Sequence, residues 1–152
     1  MAIDPLYVRY TLQGLLGLGV AAFLWFGVRG RAGGGRGWDR LADAYRVADL
    51  PAGERFRSAT ASLGDGLVRV RYRHILNVVV SPSGFGMSIQ SVFGSAPSLF
   101  IPWTHIESMA PSRVMFEDTT RVAVRGAYPP ISLYGQAGAA VLRAYGHSTR
   151  GP

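Results

Sequence analysis

The spacing of apolar residues changes character along the chain, and each change marks an element. Over 10–28 there is no period: nineteen positions pass without a charge, between Arg9 and Arg29. A helix of that length covers about 28 Å at about 1.5 Å per residue, the hydrocarbon thickness of a bilayer. The run predicts one transmembrane helix over 10–28 behind a short tail over 1–9. Tyr7, Tyr10, Trp25 and Phe26 sit near its ends, where interfacial aromatics collect. A cleaved signal peptide calls for a small-residue exit. Here Trp25-Phe26-Gly27-Val28-Arg29-Gly30-Arg31 is bulky and then basic, as a stop-transfer flank is. A core helix of a soluble domain would keep a polar face, and no helical projection of this run has one.

The arginines orient the span. Arg29, Arg31, Arg36 and Arg40 follow it closely and only Arg9 precedes it, which predicts the N-terminus outside and the larger C-terminal part in the cytoplasm. Each flanking arginine adds about 1 kcal/mol of attraction to anionic lipid, so Arg29, Arg31 and Arg36 form a membrane-flanking group. Gly14, Gly17 and Ala21 share one face of the predicted helix. Small residues there let two helices approach, making this the candidate surface for homo-oligomers.

After the span, 29–37 is rich in Gly and Arg. It lacks the Lys-Ser/Thr and the preceding strand of a phosphate-binding loop, and reads as a tether. Trp38, Leu41, Ala42, Tyr45 and Ala48 then recur at helical spacing, with Asp39, Arg40, Asp43 and Arg46 opposite. They predict an amphipathic helix over 38–50 that stops before Pro51. It is too short to stand alone and is expected to pack on its own domain. From Glu54 the period becomes two. Segments 56–63, 67–80, 85–90, 98–101, 106–109, 114–116, 121–124 and 131–133 read as strands, with Gly64-Asp65-Gly66 as a tight turn. Residues 139–145 predict a final short helix capped by Gly146. Turns this closely spaced fit an antiparallel barrel or sandwich.

Strands in meander order followed by one helix are the outline of the pleckstrin-homology-like (PH-like) fold. Val78-Val79-Val80-Ser81-Pro82-Ser83-Gly84-Phe85-Gly86-Met87-Ser88, then Leu99-Phe100-Ile101-Pro102-Trp103-Thr104-His105-Ile106, resembles small bacterial PH-like domains. The resemblance covers roughly 54–146 and leaves 147–152 as a tail. It implies a mainly β fold: a transmembrane helix, a short amphipathic helix, then a PH-like antiparallel β-barrel or sandwich with a C-terminal helix, held at the bacterial inner membrane. It further implies a module that binds lipids or proteins and is not a catalyst.

Composition adds limits. All 16 basic residues are arginine, and the net charge is +7. Four of those arginines flank the membrane span, which weakens the case for nucleic acid; a nucleic-acid ladder would also interleave aromatics, and only Tyr72 qualifies. The absence of cysteine excludes thiol chemistry, disulfides and Cys-ligated metals. His74, His105 and His147 lack metal-ligand spacing, and no nucleophile motif or paired carboxylates stand out, so no catalytic, cofactor or metal residue is assigned. One chemical feature remains. Arg69, Arg71 and Arg73 would share a face of one strand at about 6.7 Å intervals. They are either a solvated face or a ladder for anionic lipid. We therefore expect a single-pass membrane-anchored module that recruits or organises a protein partner at the cytoplasmic face, with an anionic-lipid-binding module using Arg69, Arg71 and Arg73 as the alternative.

Overall fold

A computed structural model of the chain describes residues 35–90 and 96–150. The expected span over 10–28, the Gly14, Gly17 and Ala21 face, and Arg29 and Arg31 lie outside the described residues. Among those described, no helix is long and apolar enough to cross a membrane. Helix α1 (Gly35–Tyr45) leads into β1 (Arg46–Val47), β2 (Glu54–Leu63), β3 (Val70–Ser81), β4 (Gly84–Ile89), β5 (Ser98–Pro102), β6 (Ile106–Val114), β7 (Glu117–Val124), β8 (Ile131–Tyr134) and helix α2 (Gly135–Arg150).

The fold is mainly β. The eight strands form one antiparallel sheet in the order β1-β5-β4-β3-β2-β8-β7-β6. Strand β2 joins the two halves: Ala61, Ser62 and Leu63 face Tyr72, Arg71 and Val70 of β3 on one side and Leu133, Ser132 and Ile131 of β8 on the other. Alternate positions turn inward, so Leu76 and Val78, Phe85 and Met87, Leu99 and Ile101, Val122 and Val124, and Ile131 and Leu133 build one core. Helix α2 lies over it through Ala137, Ala140 and Val141. Gly138 permits the close approach, because a Cβ there would lie 2.5 Å from the Leu133 carbonyl oxygen and 3.2 Å from Thr120 Oγ1.

Helix α1 packs on its own domain, as its stripe predicts. Trp38, Leu41, Ala42 and Tyr45 are buried. The Trp38 ring centroid lies 5.6 Å from that of Tyr72, and its indole N–H donates to the Pro97 carbonyl at 3.0 Å. The helix ends at Tyr45, short of the expected 50, because Arg46 and Val47 turn out to pair with Leu99 and Ser98. Ala48 therefore leaves the buried stripe.

Three other boundaries move. Leu63 pairs with Val70, so 64–69 forms a six-residue loop holding a 3-10 turn over Gly66–Val68; Leu67, Val68 and Arg69 precede the strand expected to contain them. Gly64 and Gly66 have φ of 89° and 56°, values glycine adopts without strain. Met115 and Phe116 form the turn between Val114 and its partner Glu117, not a strand. Helix α2 begins at Gly135 and runs through Gly146 to Arg150, absorbing part of the expected tail.

Candidate functional site: an arginine-lined cleft

The β2–β3 pair is irregular at one place. Phe56 pairs with Val78 but Ala59 with Leu76, so β2 carries an extra residue; Ala61 then pairs with Tyr72, so β3 carries two. The bulges centre on Ser58 (φ 55°) and His74 (φ 54°). The His74 backbone N–H donates to Thr60 Oγ1 at 3.2 Å, and His74 Nδ1 lies 3.4 Å from the Ser58 carbonyl oxygen. Bulges bend a strand and re-aim its side chains. Here the opening forms a cleft of about 720 Å³ lined by Arg55, Arg57, Arg71, Arg73, His74, Glu117, Asp118, Tyr134 and the first residues of α2, Gly135, Gln136 and Ala137.

The third non-glycine residue with positive φ, Met115 (57°), belongs to the turn just before Glu117. Two of the three such residues among those described therefore line the cleft, and the third lies two residues before its lining residue Glu117. Each left-handed conformation costs about 1–2 kcal/mol. Such strain concentrates where a surface is shaped for use and is maintained by the surrounding fold.

The charges divide into bound and free. Arg71 contacts Glu117 and lies 4.3 Å over the Tyr134 ring centroid. Its Nε is buried without a hydrogen-bond partner among the described residues. Asp118 accepts two hydrogen bonds from Arg113, at 3.0 and 2.9 Å. Both acids of the cleft are thus neutralised by arginine. Arg55, Arg57 and Arg73 are exposed, and no described carboxylate lies within 4.0 Å of them. The amino end of α2 adds the partial positive charge of a helix N-terminus. The turn that leads into Glu117 is apolar: Met115 and Phe116 are 83% and 98% exposed.

The structure keeps part of the expected arginine ladder. Arg71 and Arg73 lie on β3 and line the cleft; Arg69 does not, because it sits in the loop, 3.6 Å from Asp65. Arg36 falls in α1. Two contributors missed in the sequence are Arg55 and Arg57, which alternate about Phe56; that Arg-Phe-Arg spacing was the available signal. His74 joined them only through the bulge. Trp103 is buried against Phe85, with centroids 5.9 Å apart, and Tyr128 packs edge-on to Tyr45 at 5.5 Å. Among the described residues no group of His, Asp and Glu is placed to hold a metal ion.

The Asp65 loop lies at the other end of β2. Arg121 grips both Asp65 oxygens at 2.8 and 2.6 Å and holds that carboxyl below its ordinary value, with Arg69 assisting. In comparisons with known proteins, no family model matches the chain, and no curated protein is significantly similar to it.

Proposed function

We propose that the chain is a single-pass membrane protein of the bacterial inner membrane whose PH-like domain recruits a protein partner at the cytoplasmic face, and that the cleft receives an acidic segment of that partner. The PH-like reading is supported by the meander in which β2 joins both halves of the sheet, with a helix closing the end. The anchor reading is supported by the uncharged run over 10–28 and the arginines after it. The observation that carries the recruiting role is the group of three arginines without carboxylate partners around one strained cleft. Carboxylate or phosphate oxygens complement them, and exposed Met115 and Phe116 offer an apolar contact beside them. A protein is favoured over the bilayer because the unpartnered Arg55 and Arg57 lie towards the start of β2, whereas α1 begins against Leu63 at its end.

The test uses the full chain in nanodiscs of neutral lipid and a fluorescent peptide of glutamates interrupted by one phenylalanine. We expect salt-sensitive binding, absent for the same peptide with lysine in place of glutamate. At about 1 kcal/mol per charge pair near water, Arg55→Gln, Arg57→Gln and Arg73→Gln together should weaken it about a hundredfold. Equal binding by the triple variant would overturn the assignment. Slowed hydrogen exchange over 55–60 and 73–74 in anionic nanodiscs without peptide would transfer the cleft to lipid.

A further inference from the structure

The loop over 64–69 carries the most exposed apolar side chains at its end of the domain. Leu67 is 106% exposed and Val68 79%, with Val70 partly exposed behind them, whereas Leu63, Leu76, Leu99 and Leu133 are buried. The loop is nonetheless held. Its 3-10 turn closes through the Val68 N–H to the Asp65 carbonyl at 3.3 Å and the Arg69 N–H to the Gly66 carbonyl at 3.4 Å. The Gly64 N–H donates to the Pro130 carbonyl at 2.9 Å, and Arg121 clamps Asp65. Two exposed apolar side chains are therefore displayed on a tip that is held to the domain through Gly64 and Asp65.

The start of α1 locates what they face. A Cβ on Gly37 would lie 3.4 Å from Leu63 Cβ and 3.5 Å from Pro129 Cγ. The helix thus begins against the residue where β2 ends and the tip starts. Six residues lie between Val28, the end of the uncharged run, and Gly35, and the Cα steps that join the two reach at most about 25 Å. The tip cannot be far from the bilayer that holds the run.

We propose that this tip is a membrane-docking element: Leu67 and Val68 enter the interfacial layer of the leaflet from which the chain emerges. The inference rests on the anchor reading given above. Attachment makes a weak contact sufficient, because a short tether holds the tip at an effective concentration on the order of millimolar.

The chain has no native cysteine, so a nitroxide can be attached singly at Leu67→Cys, where the label ring is itself apolar, and at Met115→Cys as the reference. Both sites are exposed turns, so folding is spared. In the full chain in lipid nanodiscs, the Leu67 label should be relaxed by membrane-dissolved oxygen and shielded from an aqueous nickel complex; the Met115 label should show the reverse. Equal aqueous access at the two sites, in a chain that resists alkaline extraction, would overturn the tip and leave the anchor standing. Release of the whole chain by alkali would overturn both. Dipolar broadening at Leu67 that persists in detergent would assign the tip to a second copy of the chain and overturn membrane docking.

Discussion

Helix α1 determines where the chain leaves the domain, so its attachment can be tested through Trp38. The side chain is 0% exposed, contacts Tyr72 and donates to the Pro97 carbonyl. Trp38→Ala removes a ring that costs about 3–5 kcal/mol when deleted from a core, and leaves a carbonyl without its donor at about 1 kcal/mol more. The sum, about 4–6 kcal/mol, compares with about 5–15 kcal/mol for the stability of an ordinary domain. At about 4 °C per kcal/mol for a domain of this size, the melting temperature should fall by about 15–25 °C. Trp38→Phe keeps a ring and loses the N–H, and should fall between the two. Thermal unfolding of the full chain in mild detergent, followed by the sheet signal in circular dichroism, is the measurement. A Trp38→Ala melting temperature within a few degrees of the parent would refute the reasoning. Helix α1 would then lie elsewhere, against the membrane or a partner, and the exit beside Leu63 would no longer be fixed.

Three further outcomes follow from packing and charge. Gly138→Val should lower the melting temperature by the equivalent of about 1–3 kcal/mol, since the new side chain meets the Leu133 carbonyl oxygen. Arg121 depresses the Asp65 pKa in the folded state, so the stability it supplies is present above about pH 4 and fades as pH falls through the folded value. With half of the side chain exposed, the contribution is at most about 1 kcal/mol. Urea midpoints of the parent and Asp65→Asn should differ at neutral pH and converge in acid. Burial, reinforced by the charge of Asp39, pushes the Tyr72 phenol up to about 12. Its unfolded form ionises first, so stability should decline as pH rises from about 10 towards that value; ultraviolet titration should show a late tyrosinate that Tyr72→Phe removes.

Much of the sheet was legible because its strands alternate. The pattern of Arg71, Tyr72 and Arg73 already separates the two faces of β3, and Trp38, Leu41 and Tyr45 mark the buried side of α1. What failed is local and has physical causes. Met115 and Phe116 look like strand residues, since turns usually carry Gly, Asn or Asp; only the pairing of Val114 with Glu117 shows that they turn. Gly146 reads as a helix stop, yet α2 continues past it. The cleft was half visible. Arg71 and Arg73 follow from the period of two, but the bulges at Ser58 and His74 change register without changing composition. The alternation of Arg55 and Arg57 about Phe56 puts those two on one face, but only the bulges bring that face to the same opening as Arg73.

The ends of β2 differ in chemistry, and the difference bears on which ligand the arginines meet. Leu63 adjoins the start of α1 and the apolar tip, while Arg57, at the cleft, lies six residues back along the strand. At about 3.3 Å per residue that is about 20 Å. The Debye length at physiological salt is about 8 Å. With Leu67 and Val68 docked, Arg57 would stand at most about two to three screening lengths from the tip, whereas Arg71, which pairs with Ser62 beside Leu63, would stand much closer. The leaflet's negative potential would then fall along the cleft and be weakest at Arg55 and Arg57. The free charges of Arg55 and Arg57, farthest from the tip, would remain the most available to an acidic partner, while Arg73, whose neighbour Tyr72 pairs with Ala61, would lie nearer the lipid.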